Sequence, residues 1–334
     1  MEKYILGYVT NNALKGVTAE DANRLTHINL AFGKVKDGLL DMRELKNIDE
    51  VERIRSYNPK LRIVLSVGGW GAGGFSLMAR TAAGREAFAA SCLREVERYR
   101  LDGVDIDWEY PCDNSAEIDC DPSDKQNFTY LLQALRDALG EERILSIAAG
   151  AGNYFIEDTE MDKVAAVCDY VQLMTYDIRS GFQREAGHHT GLFTSPGDRL
   201  NGSVKASVDA FHAAGVPREK IVIGAAFYSR RWDGLPDVNH GLFQMAQTIG
   251  QYGPGYTALV RDFIDKNGFT RYWDDDAKAP FLFNGSSLIS YDDPESIRLK
   301  CEYLQAEGLR GIMYWDHGSD PSRKLLGTMW EALK

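Results

Sequence analysis

Three carboxylates alternate with apolar residues in the stretch GVDIDWEYP, residues 103–111. Asp105, Asp107 and Glu109 occupy every second position, and this alternation predicts a β-strand with all three acids on one face. Burying neighbouring like charges is costly and must raise the pKa of at least one of them. A carboxyl group of raised pKa is a candidate general acid. Glu109, last of the three and just before Pro111, is the predicted acid.

The spacing of these acids also limits the mechanism. Residues i and i+2 of a strand lie roughly 6.5–7 Å apart on the same side, so Asp107 and Glu109 are able to share a proton or a hydrogen bond. They cannot easily flank a glycosidic bond from opposite faces, as an acid and a protein nucleophile must. If the chain is a glycosidase, the attacking group therefore comes from another strand or from the substrate itself.

Short β-rich runs alternate with amphipathic helical stretches along the chain and must position these acids. The runs are YILGYVT (4–10), THINLAFG (26–33), RIVLSVGG (62–69), GVDIDWEY (103–110), ILSIAAG (144–150), YVQLMTYD (170–177), IVIGAAFY (221–228) and GIMYWD (311–316). This succession favours a parallel (β/α)8 TIM barrel over a doubly wound sheet. In a barrel the acids point inward and Glu109 lies at the C-terminal mouth. The alternative is a solvated edge strand with the acids in water.

Two further segments carry local signals. A helix is predicted over 123–140, with a Ser123–Gln126 capping box at its start and Gly140 at its end. Residues 231–290 break the strand–helix rhythm and are rich in Gly, Tyr, Trp and Asp. A structureless loop of that length is improbable. We therefore predict a small α+β insertion domain at 231–290, beside the mouth of a barrel formed by 1–230 and 291–334.

Composition narrows the classes of protein to which the chain belongs. The 334 residues are 44% hydrophobic and 26% charged, with a formal net charge of −11 and no run of Lys and Arg. This argues against a nucleic-acid or anionic-membrane partner, and no apolar run is long enough to span a membrane. The location stays open: cytoplasmic if the chain is complete as given, extracellular if it is a trimmed domain of a secreted protein. Cys112 and Cys120 bracket one polar loop, and whether they are bridged also stays open.

The stretch DGVDIDWE (102–109) resembles the DGxDxDWE signature of family 18 glycoside hydrolases, the chitinase family. Similar matches occur to that family's motifs at its third, sixth, seventh and eighth strands: SVGGW (66–70), MTYD (174–177), YSR (228–230) and MYWD (313–316). The stretch PSDKQNFTYLLQALR (122–136) looks like bacterial members in particular. The resemblance runs from end to end of the chain, and the predicted insertion resembles the extra domain of one chitinase subgroup.

The resemblance implies catalytic roles at four positions. Glu109 would protonate the glycosidic oxygen. Asp107 would hold the substrate's acetamido nitrogen, so that the acetamido oxygen attacks the anomeric carbon and a cyclic oxazolinium forms. Asp105 would share charge and protons with Asp107, and Tyr176 would donate its hydroxyl to the acetamido oxygen. The anomeric configuration would be retained, with no cofactor.

The resemblance also implies a set of substrate-binding side chains. Asp177 would hold the distorted sugar, Trp315 would form the apolar floor beneath it, and the others would line the cleft. The predicted residues, in the order of their strands, are Phe32, Trp70, Met174, Asp177, Tyr228, Arg230 and Trp315. For Tyr228 and Arg230, packing of the insertion is the alternative. No metal is expected, because the adjacent His188 and His189 lack a third ligand at close spacing.

The predicted function is hydrolysis of β-1,4 linkages between N-acetylglucosamine residues of chitin or its oligosaccharides, by a monomer. The first alternative is an endo-β-N-acetylglucosaminidase acting on N-glycan cores, which shares the signature. A chitin-binding lectin is disfavoured because the acid position holds Glu109. A peptidoglycan hydrolase would be supported by lysin-motif repeats, and the sequence has none. Endo or exo action, processivity and preferred chain length stay open.

Overall fold

A computed structural model describes residues 2–334. The strands are β1 (Tyr4–Thr10), β2 (His27–Lys36), β3 (Leu39–Asp41), β4 (Arg62–Gly68), β5 (Gly103–Asp107), β6 (Ile144–Gly150), β7 (Tyr170–Met174), β8 (Ile221–Ala226), β9 (Arg230–Asp233), β10 (Gln251–Tyr252), β11 (Thr270–Asp274), β12 (Ala279–Phe283), β13 (Ser287–Ser290) and β14 (Gly311–Trp315). The helices are α1 (Ala19–Arg24), α2 (Glu50–Tyr57), α3 (Phe75–Ala79), α4 (Ala82–Arg98), α5 (Asp124–Leu139), α6 (Asn153–Glu157), α7 (Met161–Val167), α8 (Val204–Ala213), α9 (Tyr256–Asp262), α10 (Pro294–Ala306) and α11 (Lys324–Leu333).

A closed parallel barrel forms most of the molecule. Its strands follow the order β1, β2, β4, β5, β6, β7, β8, β14, and β1 pairs with both β2 and β14, so the sheet closes on itself. Each of these eight strands pairs in parallel with the next of the eight, as a right-handed succession of strand–helix units requires. The predicted (β/α)8 TIM barrel is confirmed.

Alternation along β5 explains why its acids point inward. Val104, Ile106 and Trp108 are buried against the helices, and the Trp108 ring stacks on Phe75 of α3 at 5.2 Å between ring centroids. Phe128 of α5 meets the same ring edge-on at 5.8 Å. This outer apolar layer leaves the opposite face of β5, which carries the acids, to the barrel interior.

A second, antiparallel sheet is formed by the part of the chain between β8 and α10. Its strand order is β10, β9, β13, β12, β11, and α9 lies in the same stretch of chain. The first and last strands along the chain, β9 and β13, are neighbours, with Arg230 opposite Ser290 and Asp233 opposite Ser287. Trp232, Leu288 and Phe281 contribute to a separate small core. We propose that 231–290 is the insertion domain that the sequence predicts, with 1–230 and 291–334 as the barrel.

Several predicted boundaries are wrong. β5, β7 and β8 end two to three residues earlier than predicted, at Asp107, Met174 and Ala226, because the chain turns at the barrel mouth and leaves the strand ladder. β2 instead continues to Lys36 and forms a hairpin with β3. The turn between them is Asp37-Gly38, with both residues at positive φ, as a tight hairpin of this type requires.

The predicted Ser123–Gln126 capping box is also wrong. Ser123 already has helical backbone angles and its side chain caps nothing. Its hydroxyl donates to Asp121 Oδ1 at 2.7 Å and accepts from Asn127 Nδ2 at 3.1 Å, while the Gln126 N–H donates to the Ser123 backbone oxygen. The helix does end at Gly140, as predicted.

Within residues 2–334, all five cysteines are free thiols, including Cys112 and Cys120. No helix in that range is both long enough and apolar enough to cross a membrane.

Candidate active site

Asp105 lies at the centre of the barrel, where four side chains donate hydrogen bonds to it. Its Oδ2 accepts from Tyr8 at 2.9 Å and Ser66 at 2.7 Å, and its Oδ1 accepts from Ser146 and Gln172, both at 2.8 Å. Burial raises the pKa of Asp105, and these donors oppose the rise. The donors come from four different barrel strands, so Asp105 is rigidly oriented beneath the site.

Asp107 lies one step nearer the mouth in a very different environment. Its side chain is buried, and its Oδ1 has no hydrogen-bond partner. Burial first, and then the charges of Glu109 and Asp105, raise the pKa of Asp107 well above its ordinary value, while Lys34 opposes the rise. An acceptor atom left unsatisfied in a buried place calls for a partner. Asp107 lines the cavity described below, so that partner can come from a ligand.

Glu109 lies beyond the last residue of β5 and is partly exposed to the cavity. Burial raises the pKa of Glu109 to about 7; the hydrogen bond with Tyr110 acts against the rise, and the charge of Asp177 adds to it. A carboxyl group that titrates near neutral pH is suited to give and take a proton during turnover.

Tyr176 lies two residues after the end of β7 and points back over the barrel. Its hydroxyl lies 3.7 Å from Met313 Sδ, and its ring meets Tyr228 edge-on at 6.0 Å. Gly224 of β8 makes room for it, since a Cβ atom there would lie 2.9 Å from Tyr176 Cε1. The hydroxyl is therefore a donor held above the buried acids. Met174, the last residue of β7, lines the same cavity.

Asp177 is fixed by a cation from the second sheet. Arg230 donates from Nε and Nη2 to its two carboxylate oxygens, each at 2.6 Å. Burial acts to raise its pKa, but His189 and Arg230 hold the pKa of Asp177 below its ordinary value. The Arg230 guanidinium lies 4.4 Å from the Tyr252 ring centroid. Tyr228 stacks on Tyr252 at 4.7 Å.

Two aromatic surfaces border the cavity. On one side Trp315 and Phe32 stack at 5.5 Å with 17° between their planes, forming an apolar floor. On the other side the exposed Trp70 meets Tyr110 at 6.2 Å and Phe182 at 5.9 Å, both edge-on. Trp70 follows the third barrel strand and Phe182 the sixth, so their contact bridges two nearly opposite parts of the mouth.

These side chains surround one cavity of about 910 Å³ at the C-terminal mouth. Of the predicted site residues, Asp105 lies beneath this cavity. The others line it: Phe32, Trp70, Asp107, Glu109, Met174, Tyr176, Asp177, Tyr228, Arg230 and Trp315. The lining also contains five aromatic residues that are not among the predicted ones, namely Tyr8, Tyr110, Tyr154, Phe182 and Tyr252.

Some of these omissions had a signal in the sequence. Tyr8 alternates with apolar residues on β1, and Tyr110 directly follows the predicted acid. Tyr252 comes from the insertion and Phe182 from a long loop, and no sequence pattern places either of them at the mouth.

The residues 2–334 contain no group of three or more His, Cys, Asp or Glu side chains that could hold a metal. His188 and His189 diverge: His188 Nε2 lies 3.0 Å from Asp274, and His189 Nδ1 lies 3.6 Å from Asp177. The absence of a metal stays a prediction.

The chain matches a known protein family over almost its whole length. Residues 4–320 match the model of Glycosyl hydrolases family 18. Chitinase A1 of Niallia circulans is 37% identical over 303 residues, covering 84% of this chain. Chitinase B of Serratia marcescens is 28% identical over 385 residues, covering 92% of this chain and 75% of its own length. This chain spans only 43% of the length of Chitinase A1.

A solved structure is still more similar. It is described as a glycoside hydrolase family 18 N-acetylglucosaminidase from Paenibacillus barengoltzii, with a TM-score of 0.98, 51% identity and coverage of 99% of this chain and 100% of the other. The predicted classification as a glycoside hydrolase is confirmed. The chain belongs to glycosyl hydrolases family 18.

Proposed function

We propose that this chain hydrolyses β-1,4 linkages between N-acetylglucosamine units of chitin or chitooligosaccharides, with retention and through an oxazolinium intermediate. One observation carries the proposal: the unpartnered Oδ1 of Asp107 lies in a cavity that also contains the Tyr176 hydroxyl. An acetamido group offers one N–H donor and one C=O acceptor. Asp107 accepts from the first and Tyr176 donates to the second, so the pair complements that group.

The carboxylates support attack by the substrate's own acetamido oxygen. Asp107 lies on the same strand face as Glu109, and Asp177 is engaged at both oxygens by Arg230. The first cannot easily reach the face opposite Glu109, and the second is held in an ion pair, so neither is suited to act as a protein nucleophile. Glu109 protonates the leaving oxygen, and Asp107 orients the acetamido group. Asp105 fixes the strand that carries Asp107, and its charge acts on the Asp107 carboxyl group.

The remaining predicted residues bind the sugar chain. Trp315 and Phe32 supply a flat apolar floor for a pyranose ring, and Asp177, fixed by Arg230, accepts from a sugar hydroxyl. Tyr228 backs Tyr176, Met174 lines the acetamido pocket, and Trp70 stacks a neighbouring sugar. These roles, like the monomeric state, are proposals.

One specific contact favours an enzyme that acts at chain ends and releases short products. No sugar ring can pass between Trp70 and Phe182 while their rings lie 5.9 Å apart. This supports release of short products from chain ends, and a similar protein is described as an N-acetylglucosaminidase. An N-glycan core has no corresponding support.

The test is product analysis on chitin tetramer to hexamer by mass spectrometry and proton NMR. Wild type is compared with Glu109→Gln and with Glu117→Gln, an exposed loop control. We expect a β-anomeric product from wild type and the control, and a rate lower by about 10²–10⁴-fold for Glu109→Gln. Chitobiose as the main product would indicate a chitinase, and single N-acetylglucosamine as the main product would indicate an N-acetylglucosaminidase. Binding without cleavage by wild type would identify a lectin, and an α-anomeric product would exclude the mechanism.

A further inference from the structure

A buried ion pair lies beneath the ends of β7 and β8 and has no part in the mechanism above. Lys300 of α10 and Asp292 have side chains that are 0% and 1% exposed, and Lys300 Nζ lies 2.6 Å from Asp292 Oδ2. Removing two charges from water is expensive, and the mutual attraction often fails to compensate for it. A pair in this place therefore needs a reason beyond stability.

Thr190 connects the pair to the site. Lys300 Nζ donates to Thr190 Oγ1 at 2.6 Å. Because an ammonium group only donates, the single hydroxyl hydrogen of Thr190 is left to serve an acceptor. The nearer acceptor is the backbone oxygen of Thr175 at 3.0 Å, and Asp292 Oδ2 lies at 3.3 Å. The chain of donors runs from Lys300 through Thr190 to the Thr175 carbonyl.

The Thr175 carbonyl belongs to the peptide plane that leads into Tyr176. That plane is rigid, so fixing its oxygen restrains the backbone that carries the Tyr176 side chain. The Thr175 hydroxyl is anchored as well, accepting from Gly224 N at 2.7 Å and donating to Gly224 O at 2.9 Å. Thr190 completes the restraint on a residue that is itself wholly buried.

The same carboxylate holds the neighbouring strand. Asp292 Oδ2 accepts from the backbone N–H of Ala226 at 3.1 Å, and its Oδ1 accepts from Ser296 at 2.7 Å. Ala226 ends β8, two residues before Tyr228, whose ring packs on Tyr176. One buried charge pair thus ties together the strand end that carries Tyr176 and the strand end that supports it.

We propose that Lys300 and Thr190 are positioning residues that hold the Tyr176 hydroxyl at the place where it meets the substrate's acetamido oxygen. This inference rests on the proposed function. It predicts that loss of the Thr190 hydroxyl acts on the chemical step through Tyr176, rather than on substrate binding.

Thr190 offers a matched pair of variants. Thr190→Val keeps the shape and removes the hydroxyl, whereas Thr190→Ser keeps the hydroxyl. With chitin tetramer as substrate, we expect Thr190→Val to lower kcat by about tenfold or more, since small misplacements at a reacting centre are costly. KM should change by less than about threefold, as expected when ground-state binding is preserved. Thr190→Ser should keep kcat within about twofold of wild type, by the same reasoning.

A double-mutant cycle separates positioning from a structural effect. If Thr190 acts through Tyr176, then Thr190→Val should cost less than about twofold in a Tyr176→Phe background. An equal loss in both backgrounds, or no loss in wild type, overturns the inference. If Thr190→Val does not fold, the double variant Lys300→Met/Asp292→Asn replaces it, because a neutral pair of similar volume is often tolerated, and the same cycle applies.

The wild-type measurement separates a failure of the proposed function from a failure of this inference alone. If wild type does not cleave the tetramer, the proposed function fails and this inference fails with it. If wild type cleaves and the cycle is additive, only the inference fails.

Discussion

Arg230 and Asp177 form a two-point pair, with both carboxylate oxygens accepting from one guanidinium at 2.6 Å. Arg230 begins the first strand of the second sheet, and Asp177 follows the sixth strand of the barrel. Asp177 has φ of 55°, a left-handed backbone angle that is uncommon for residues other than glycine. The pair therefore fixes the mouth of the barrel to the second sheet at the point where Asp177 faces the cavity.

Replacing Arg230 by Lys should weaken this contact while keeping the charge. A lysine cannot make two parallel hydrogen bonds, and loss of one charge-assisted bond costs about 1.5 kcal/mol or more. We expect kcat/KM on chitin tetramer to fall by about tenfold. Arg231→Lys, on the same short strand but paired with Asp233, is the control and should stay near wild type. Equal losses in both variants would show a general effect on the sheet.

The pH dependence of activity should carry a limb set by Glu109. Glu109 must be protonated to act as an acid, and its pKa is raised to about 7 by burial. We expect kcat/KM to fall as pH rises through about 7. Tyr110 opposes the rise of that pKa, so Tyr110→Phe should move the limb to higher pH. A flat profile from about pH 4 to 9 would contradict this assignment.

Glu109→Gln should raise stability at alkaline pH although it removes activity. The pKa of Glu109 is about 7 in the folded chain and about 4.3 when unfolded. The folded state therefore binds more protons between these values, and stability falls as pH rises through that window. Glutamine removes a penalty of roughly 1–2 kcal/mol, discounted for partial exposure. Thermal unfolding should show a higher Tm for Glu109→Gln at pH 8 and a smaller difference at pH 5.

Gly224→Ala should disturb Tyr176 directly. The added Cβ would lie 2.9 Å from Tyr176 Cε1 and 2.8 Å from the Leu173 oxygen, and crowding of this kind costs about 1–3 kcal/mol in a packed interior. We expect a lower Tm and a kcat that falls more than KM changes. Gly16→Ala is the control, because nothing lies within 4 Å of a Cβ at Gly16. Unchanged kinetics in Gly224→Ala would mean that the ring has room to move.

The barrel and most of the cavity could be predicted because they depend on local patterns. Period-two alternation places Asp105, Asp107 and Glu109 on one face, and parallel strands bring their carboxyl ends to a common mouth. The strand ends could not be predicted to the residue. Where a strand ends depends on when its neighbours stop pairing, as at Met174 and Ala226, and that is a property of the closed sheet.

Contacts between distant segments lie beyond the reach of local patterns. Phe182 and Tyr252 reach the cavity only because a long loop and the insertion fold back over the mouth. The Lys300–Thr190 contact joins positions 110 residues apart. Ser123 shows the limit even at short range, because its backbone is already helical and the Gln126 N–H donates to the Ser123 backbone oxygen instead of to its hydroxyl.

The second sheet leaves and rejoins the barrel through adjacent strands, with Arg230 opposite Ser290. Its two ends are therefore already neighbours, and the entropy of closing the intervening chain grows only slowly with its length. The separation of the ends of the stretch from 234 to 286 is therefore set by the pairing of β9 with β13 and not by the length of the stretch. The wall of the cleft can thus be built by a long insertion while the barrel strands, and the acids they carry, stay where they are.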